Sequence, residues 1–339
     1  MIAWLLISFF VLLFLGVPIA MSLGLSAMGG ILFLGGGSTV TIAQRMFEGM
    51  NSFALLAIPL YTFAGFTMSK GGISKRLMDF CYSIVGHIYG GLAHVNVLSS
   101  MIFAGISGSA VADTAGVSGM FMPEMVRKGY SKNFTVAVTA ISSTIGIIIP
   151  PSIPMVVIAG ICGISTGKLF LGGIIPGVLC GLAQMIVSYF LAKKEGVPKE
   201  PGHFTIGPVL HGLWESWPAL LMPIIIVGTI TMGIVSPTEA GVIAVVYGLF
   251  VGMVIYREVK LKDLFDILVD SAKTTGGIML IVASASLFSF VCTKFGIAEA
   301  ASGLLASIAH NQFVFLLIVN VIFLIAGCFI DANSAMYIF

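Results

Sequence analysis

Charge is what this sequence has least of. Only 9% of its 339 residues are Asp, Glu, Lys or Arg, against roughly 25% in an ordinary soluble domain, which excludes a water-soluble globule. No basic patch interleaved with aromatics is present either, so no nucleic-acid partner is expected. Cysteine is scarce: Cys81, Cys162, Cys180, Cys292 and Cys328 sit singly in apolar stretches without metal-ligand spacing, which suits free thiols in packing roles and no transition-metal site. The five histidines lack ligand spacing too. Without a His-Glu-x-x-His motif or a convincing Ser/His or paired-aspartate constellation, no enzyme is indicated; a membrane-embedded enzyme is the weakest reading. The alternating ten-residue segments of a barrel are absent. The first apolar run has no basic stretch before it and is followed at once by another, so it reads as a retained helix rather than a cleaved signal.

What the chain has is apolar length. At 58% hydrophobic residues, several runs approach the roughly 20 residues a helix needs to span a bilayer, and the fold class expected is an all-α polytopic membrane protein. Residues 2–16 and 19–35 form two apolar segments broken at Gly16-Val-Pro18, and 51–69 form the next. An amphipathic stretch with Lys75, Arg76 and Asp79 over 73–90 suits a helix lying on the cytoplasmic face. Spans are expected over 169–192, 213–235, 238–256 and 273–293, with a polar, proline-containing linker over 195–212. Glu239, just after Pro237, reads as a cap on its helix. Thirteen of the sixteen basic residues fall on one side of this arrangement, leaving Arg45, Lys168 and Lys294 on the other. The positive-inside rule makes the rich side cytoplasmic and the N-terminus periplasmic.

Two stretches break the pattern. Phe103-Ala-Gly-Ile-Ser-Gly-Ser-Ala-Val-Ala-Asp113 crowds small polar residues around a carboxylate, and Ser142-Ser-Thr-Ile-Gly-Ile-Ile-Ile-Pro-Pro-Ser152 ends in a double proline. Backbone with unpaired groups cannot face lipid, so such segments survive only inside protein or around a polar cavity. The first reads as a re-entrant hairpin over about 92–126 that enters from the cytoplasm and turns near Ser107 to Ser109, where glycine permits a tight turn. The second reads as a broken helix over about 134–161, because Pro150 and Pro151 donate no backbone hydrogen bond and Pro150 biases Ile149 away from helix. Carbonyls near Gly146 to Ile149 then lose partners, and gathered oxygens are what a desolvated sodium ion requires. Asp113, Ser142, Ser143, Thr144 and Ser152 are candidates to line the adjoining cavity, since a carboxylate in apolar surroundings is costly unless paired or wet. Close helix packing by Ser107, Gly108 and Ser109 is the competing role, and Asp113 has the alternative of bonding the hairpin's own backbone.

The sequence also repeats. Shifted by 224 positions without a gap, Lys70, Gly72 and Ile73 match Lys294, Gly296 and Ile297, and Val95-Asn-Val97 matches Val319-Asn-Val321. With the positive-inside topology the copies have opposite orientation, which is the inverted-repeat plan of many secondary transporters. The first repeat is expected over 1–194, the linker over 195–212, and the second repeat over 213–339, with a second hairpin beginning near 313. The second copy looks truncated, lacking about 80 residues of the first, its double proline among them.

Together Gly105-Ile-Ser-Gly-Ser-Ala-Val-Ala-Asp113, Ile149-Pro-Pro-Ser152, Ser236-Pro-Thr-Glu-Ala-Gly241 and Phe329-Ile-Asp-Ala-Asn333 resemble the large membrane subunit of TRAP transporters, the tripartite ATP-independent periplasmic systems, over essentially the whole chain. The resemblance implies a sodium-driven, elevator-type importer in a bacterial or archaeal inner membrane. It implies two partners, a small four-helix membrane subunit and a periplasmic solute-binding protein that delivers a C4-dicarboxylate, a sialic acid or another organic acid. It also implies ligand sets: Ser107, Gly108, Ser109, Gly146, Ile149, Pro150 and Pro151 for a first sodium, and Asp331, Ala332 and Asn333 for a second, sodium- or substrate-binding site. The runner-up is a stand-alone sodium/dicarboxylate symporter or an anion antiporter of a related inverted-repeat family.

Overall fold

The computed structural model describes residues 2–33, 35, 37–197, 205–296 and 311–327, and among them there is helix but no strand. In chain order the helices are α1 (Ile2–Phe14), α2 (Ile19–Phe33), α3 (Thr39–Met50), α4 (Ala57–Lys70), α5 (Ile73–Val85), α6 (Gly91–Ser107), α7 (Ala110–Arg127) and α8 (Lys132–Ser143). They continue as α9 (Ile153–Cys162), α10 (Thr166–Lys194), α11 (Ile206–Thr231), α12 (Pro237–Phe250), α13 (Asp263–Lys294) and α14 (Gln312–Gly327). Short 3₁₀ turns precede α4 at Phe53–Leu56 and follow α8 at Thr144–Ile147, and a π turn at Val251–Ile255 extends α12. Among the described residues five helical segments, 53–70, 166–194, 206–231, 237–255 and 263–294, are long and apolar enough to cross a membrane.

The chain divides into two compact units. The first comprises residues 1–52 and 274–339. There Leu5 and Phe9 of α1, Leu23, Ala27 and Ile31 of α2, Ile42 of α3 and Phe288 and Val291 of α13 form one buried cluster. Gly24 lets α2 approach so closely that a Cβ there would lie 3.2 Å from Ser284 Oγ. Arg45 of α3 pairs with Glu48 at 3.1 Å and stacks over the Phe290 ring at 4.5 Å.

The second unit, residues 53–273, holds the broken elements. Its core gathers Val95, Val97 and Ala104 of α6, Val117, Phe121 and Met125 of α7, and Phe134 and Val138 of α8. Helix α6 is central, packing against α5, α7, α8 and α10, while α4 pairs with α12 and α5 with α11. Helix α12 starts with a full capping box: Ser236 Oγ accepts from Glu239 N at 3.3 Å, and Glu239 Oε2 accepts from Ser236 N at 2.6 Å. Tyr61 of α4 secures the same corner by donating to Pro237 O at 2.9 Å.

Three boundaries differ from the sequence expectation. Helix α3 was not anticipated; its apolar content is low, and it stands as an amphipathic helix that buries Ile42. Helix α11 begins at Ile206, inside the stretch expected to be linker to 212. Pro208 lies in the first turn, where a missing N–H costs nothing. The amphipathic stretch near 260 and the span expected from 273 are one continuous helix, α13, because no glycine or proline separates them. The expected second hairpin tip, with Asp331, Ala332 and Asn333, lies outside the described residues.

The capping box yields a stability prediction. Ser236→Ala removes one partner of a helix-start hydrogen bond and is expected to cost about 1 kcal/mol, read as a lowered unfolding temperature of the purified chain. Thr229→Ala, whose hydroxyl serves only its own helix through Ile225 O, should change it little.

Candidate functional site

The two irregular segments of the second unit meet backbone to backbone. Helix α6 ends at Ser107, and Gly108 turns the chain with φ +63°, a left-handed conformation that favours glycine. Its carbonyl accepts from Ile153 N at 3.0 Å, which ties the turn to the start of α9. A Cβ on Gly108 would lie 2.7 Å from Pro151 O, and one on Gly146 would lie 3.3 Å from the Ser109 carbonyl. Two glycines thus strip both faces of the seam to bare backbone. On the far side, Gly177 of α10 receives the Ile149 side chain and Gly173 meets Met155 and the Ile148 carbonyl, while Gly181 receives Met101.

Pro150 and Pro151 are both buried, and the Pro151 carbonyl faces Gly108 across the seam. A buried carbonyl left without a donor costs on the order of 1–3 kcal/mol, so bare backbone here has to be met from within the protein or by a ligand. Ile147 O, by contrast, accepts from Ser152 Oγ at 2.7 Å, and Ser152 caps α9 by accepting from Met155 N at 3.3 Å.

Next to the seam lies a pair of unmet oxygens. Asp113 sits in the first turn of α7, with its N–H donating to Ser109 O at 3.0 Å. Its side chain is fully buried and neither carboxylate oxygen has a hydrogen-bond partner. Ser100 and Ser143 flank it, yet their hydroxyls turn elsewhere, Ser100 to Ser142 Oγ at 3.2 Å and Ser143 to Thr139 O at 2.8 Å. Behind them runs a buried chain: Ser142 Oγ donates to Asn96 Oδ1 at 2.8 Å, and Asn96 Nδ2 donates to Thr139 Oγ1 at 2.8 Å. Thr139 in turn donates to Thr135 O at 2.9 Å. A lone charge buried here would cost several kcal/mol, so Asp113 is either protonated or ionised beside a cation, and turning the Ser100 or Ser143 hydroxyl toward it would break the bond each now makes.

The structure therefore brings Gly108, Ser109, Gly146, Pro150 and Pro151 into one seam, with Asp113, Ser142 and Ser143 adjoining. Ile149 packs its side chain on α10. Ser152 is occupied as a cap. Thr144 is exposed and donates to Ile141 O at 2.7 Å, outside the buried set. Asn96, Ser99, Ser100, Thr135 and Thr139, not singled out from the sequence, are buried with it. Their spacing carried the signal: Thr135, Thr139, Ser142 and Ser143 recur at helical intervals on α8, as Asn96, Ser99 and Ser100 do on α6.

Comparison with known proteins gives a consistent result. The family model described as the DctM component of the tripartite ATP-independent periplasmic transporter matches residues 6–339. The C4-dicarboxylate TRAP transporter large permease protein DctM of Pseudomonas aeruginosa is 39% identical over 317 residues, covering 94% of this chain and 74% of that protein. The sialic acid TRAP transporter large permease protein SiaM of Vibrio cholerae is 36% identical over 325 residues, 96% of this chain and 76% of that one. The isethionate TRAP transporter permease protein DctMQ of Oleidesulfovibrio alaskensis is 37% identical over 330 residues; this chain spans 52% of its length. By name these relatives are transport permeases, not enzymes.

The seam separates two glycines of like conformation. Gly108→Ala and Gly163→Ala both place a Cβ at positive φ, a strain of about 1–2 kcal/mol, but Gly163 has open space around it and Gly108 faces Pro151 O. Gly108→Ala is expected to lower the thermal unfolding temperature of the purified chain clearly more than Gly163→Ala does.

Proposed function

We propose that this chain, which belongs to the DctM component family of tripartite ATP-independent periplasmic transporters, is the large membrane subunit of a sodium-coupled importer of an organic acid. The observation that carries the proposal is the fully buried Asp113 carboxylate, neither of whose oxygens has a hydrogen-bond partner, beside a seam where Gly108 faces Pro151 O and Gly146 faces the Ser109 carbonyl. Hard, desolvated oxygens at a helix break are where a secondary transporter holds its coupling ion. The carbonyls take the role of replacing water around sodium, and Asp113 supplies the one formal negative charge. Substrates named for the relatives are acids, and an anion crossing a membrane with its own charge uncompensated meets the hydrocarbon barrier to ions. A bound cation offsets that charge.

In this proposal Gly108 and Ser109 form the tip of a re-entrant hairpin, matched in the second repeat by the Asp331 to Asn333 region, and the two hairpins travel as part of an elevator. A small membrane subunit widens the static part and a periplasmic solute-binding protein supplies the acid. The protein lies in the inner membrane with its N-terminus periplasmic. Support for that topology comes from the clustering of the basic loops: Lys70 pairs with Asp266 at 3.5 Å and Arg76 with Glu258 at 2.7 Å, which joins two stretches assigned to the cytoplasmic face.

Reconstitution tests the coupling. Liposomes holding the chain with its small subunit, given the loaded binding protein, should accumulate the acid when sodium is outside, and uptake should fall at least about tenfold in choline. Unchanged uptake in choline rejects sodium coupling. Asp113→Asn, which keeps shape and removes charge, should cost about 2–3 kcal/mol of sodium affinity if the carboxylate is a ligand, seen as a right-shifted sodium activation curve.

A further inference from the structure

A cavity of about 590 Å³ is lined by none of the seam residues and not by Asp113. Its walls are Lys75, Arg76 and Asp79 of α5, His211, Trp214, Glu215 and Trp217 of α11, and the Tyr256 to Glu258 turn. The walls are fixed. The Arg76 guanidinium stacks 4.0 Å over the Tyr256 ring and pairs with Glu258, Ser216 Oγ donates to Arg76 O at 3.0 Å, and Tyr256 OH donates to Glu215 O at 2.9 Å. The remaining charges come as two pairs one helical turn apart: Lys75 with Asp79, and His211 with Glu215, whose Nε2 and Oε1 lie 3.2 Å apart. Partial burial holds the Asp79 carboxyl above its ordinary range; Lys75 and Arg76 oppose this, and the Glu215 carboxylate adds to it. Two carboxylates therefore share one space beside an ammonium group.

The rim identifies the solvent. Trp214 is 76% exposed and Trp217 47% exposed on a helix apolar enough to span a membrane, and exposed tryptophans on such helices mark headgroup level. A purely anionic headgroup would meet Asp79 and Glu215 here, and a purely cationic one would meet Lys75 and Arg76. A group carrying both signs satisfies both sets, and 590 Å³ lies within the usual range of ligand pockets.

We infer that this cavity binds the headgroup of a phosphatidylethanolamine molecule, with the primary ammonium between Asp79 and Glu215 and the phosphate on Lys75, the acyl chains passing Trp214 and Trp217. The ammonium N–H groups are required, so phosphatidylcholine, whose nitrogen has none, is a poor occupant, and phosphatidylglycerol lacks the nitrogen altogether.

The full chain, purified in detergent and exposed to equal amounts of the three lipids, should retain phosphatidylethanolamine about tenfold better than the other two by native mass spectrometry, the worth of one charge-assisted hydrogen bond. Asp79→Asn with Glu215→Gln should reduce that retention to the phosphatidylcholine level and leave phosphatidylglycerol unchanged. Should the double variant fail to fold, Lys75→Ala, an exposed position, should lower phosphatidylethanolamine retention through the phosphate. Equal retention of the three lipids, undiminished phosphatidylethanolamine on a folded variant, or a small membrane subunit occupying the tryptophan rim and excluding lipid would each overturn the assignment.

Discussion

The constraint on which the second unit depends is that a backbone broken inside apolar surroundings must find partners within the protein. Between Thr144 and Ser152 the chain leaves the α-helical ladder, and the bonds formed there come from outside it. Ile147 O is met by Ser152, which also starts α9; Gly108 O receives Ile153 N across the seam. The Asp113 carboxylate is left over, with the hydroxyls of Ser99 and Thr135 also unmet on the neighbouring helices. Buried polar groups without partners cost stability, and of these only the carboxylate can carry a charge, as groups at functional sites do.

The hydrogen-bonded chain from Ser100 to Thr135 shows why the site needs three helices at once. Asn96 bonds both Ser142 and Thr139, so α6 and α8 are held in register by one amide. Asp113 comes from α7, placed beside them by the turn at Gly108. A shift of α6 against α8 would unpair several buried groups together, so those two helices keep or lose the arrangement as one.

The helical class and the membrane character were legible because composition decides them: 9% charge over long apolar runs admits little else. The candidate residues Gly108, Gly146, Pro150 and Pro151 could be picked out because glycine and proline act through the backbone, where local sequence speaks directly. Asn96, Ser100 and Thr139 were passed over because a buried hydroxyl or amide is told from a packed one only by its partner on another helix, here 42 to 46 residues away. The onset of α11 and the length of α13 were misjudged for another reason. Polar residues in a helix's first turns look like linker, and only the absence of a breaker, or a proline placed where it does no harm, says otherwise. Thr144 and Ser152 share the composition of their neighbours but not their roles, one facing outward and the other capping.

The glycines of α10 differ in what fills them. At Gly181 the occupant is the tip of Met101, a flexible thioether that can swing aside. At Gly177 it is the branched Ile149, and at Gly173 a peptide carbonyl joins Met155. A side chain at either position would press on the unwound turn itself, so here the bare backbone of one helix sets how near the broken segment of another can lie.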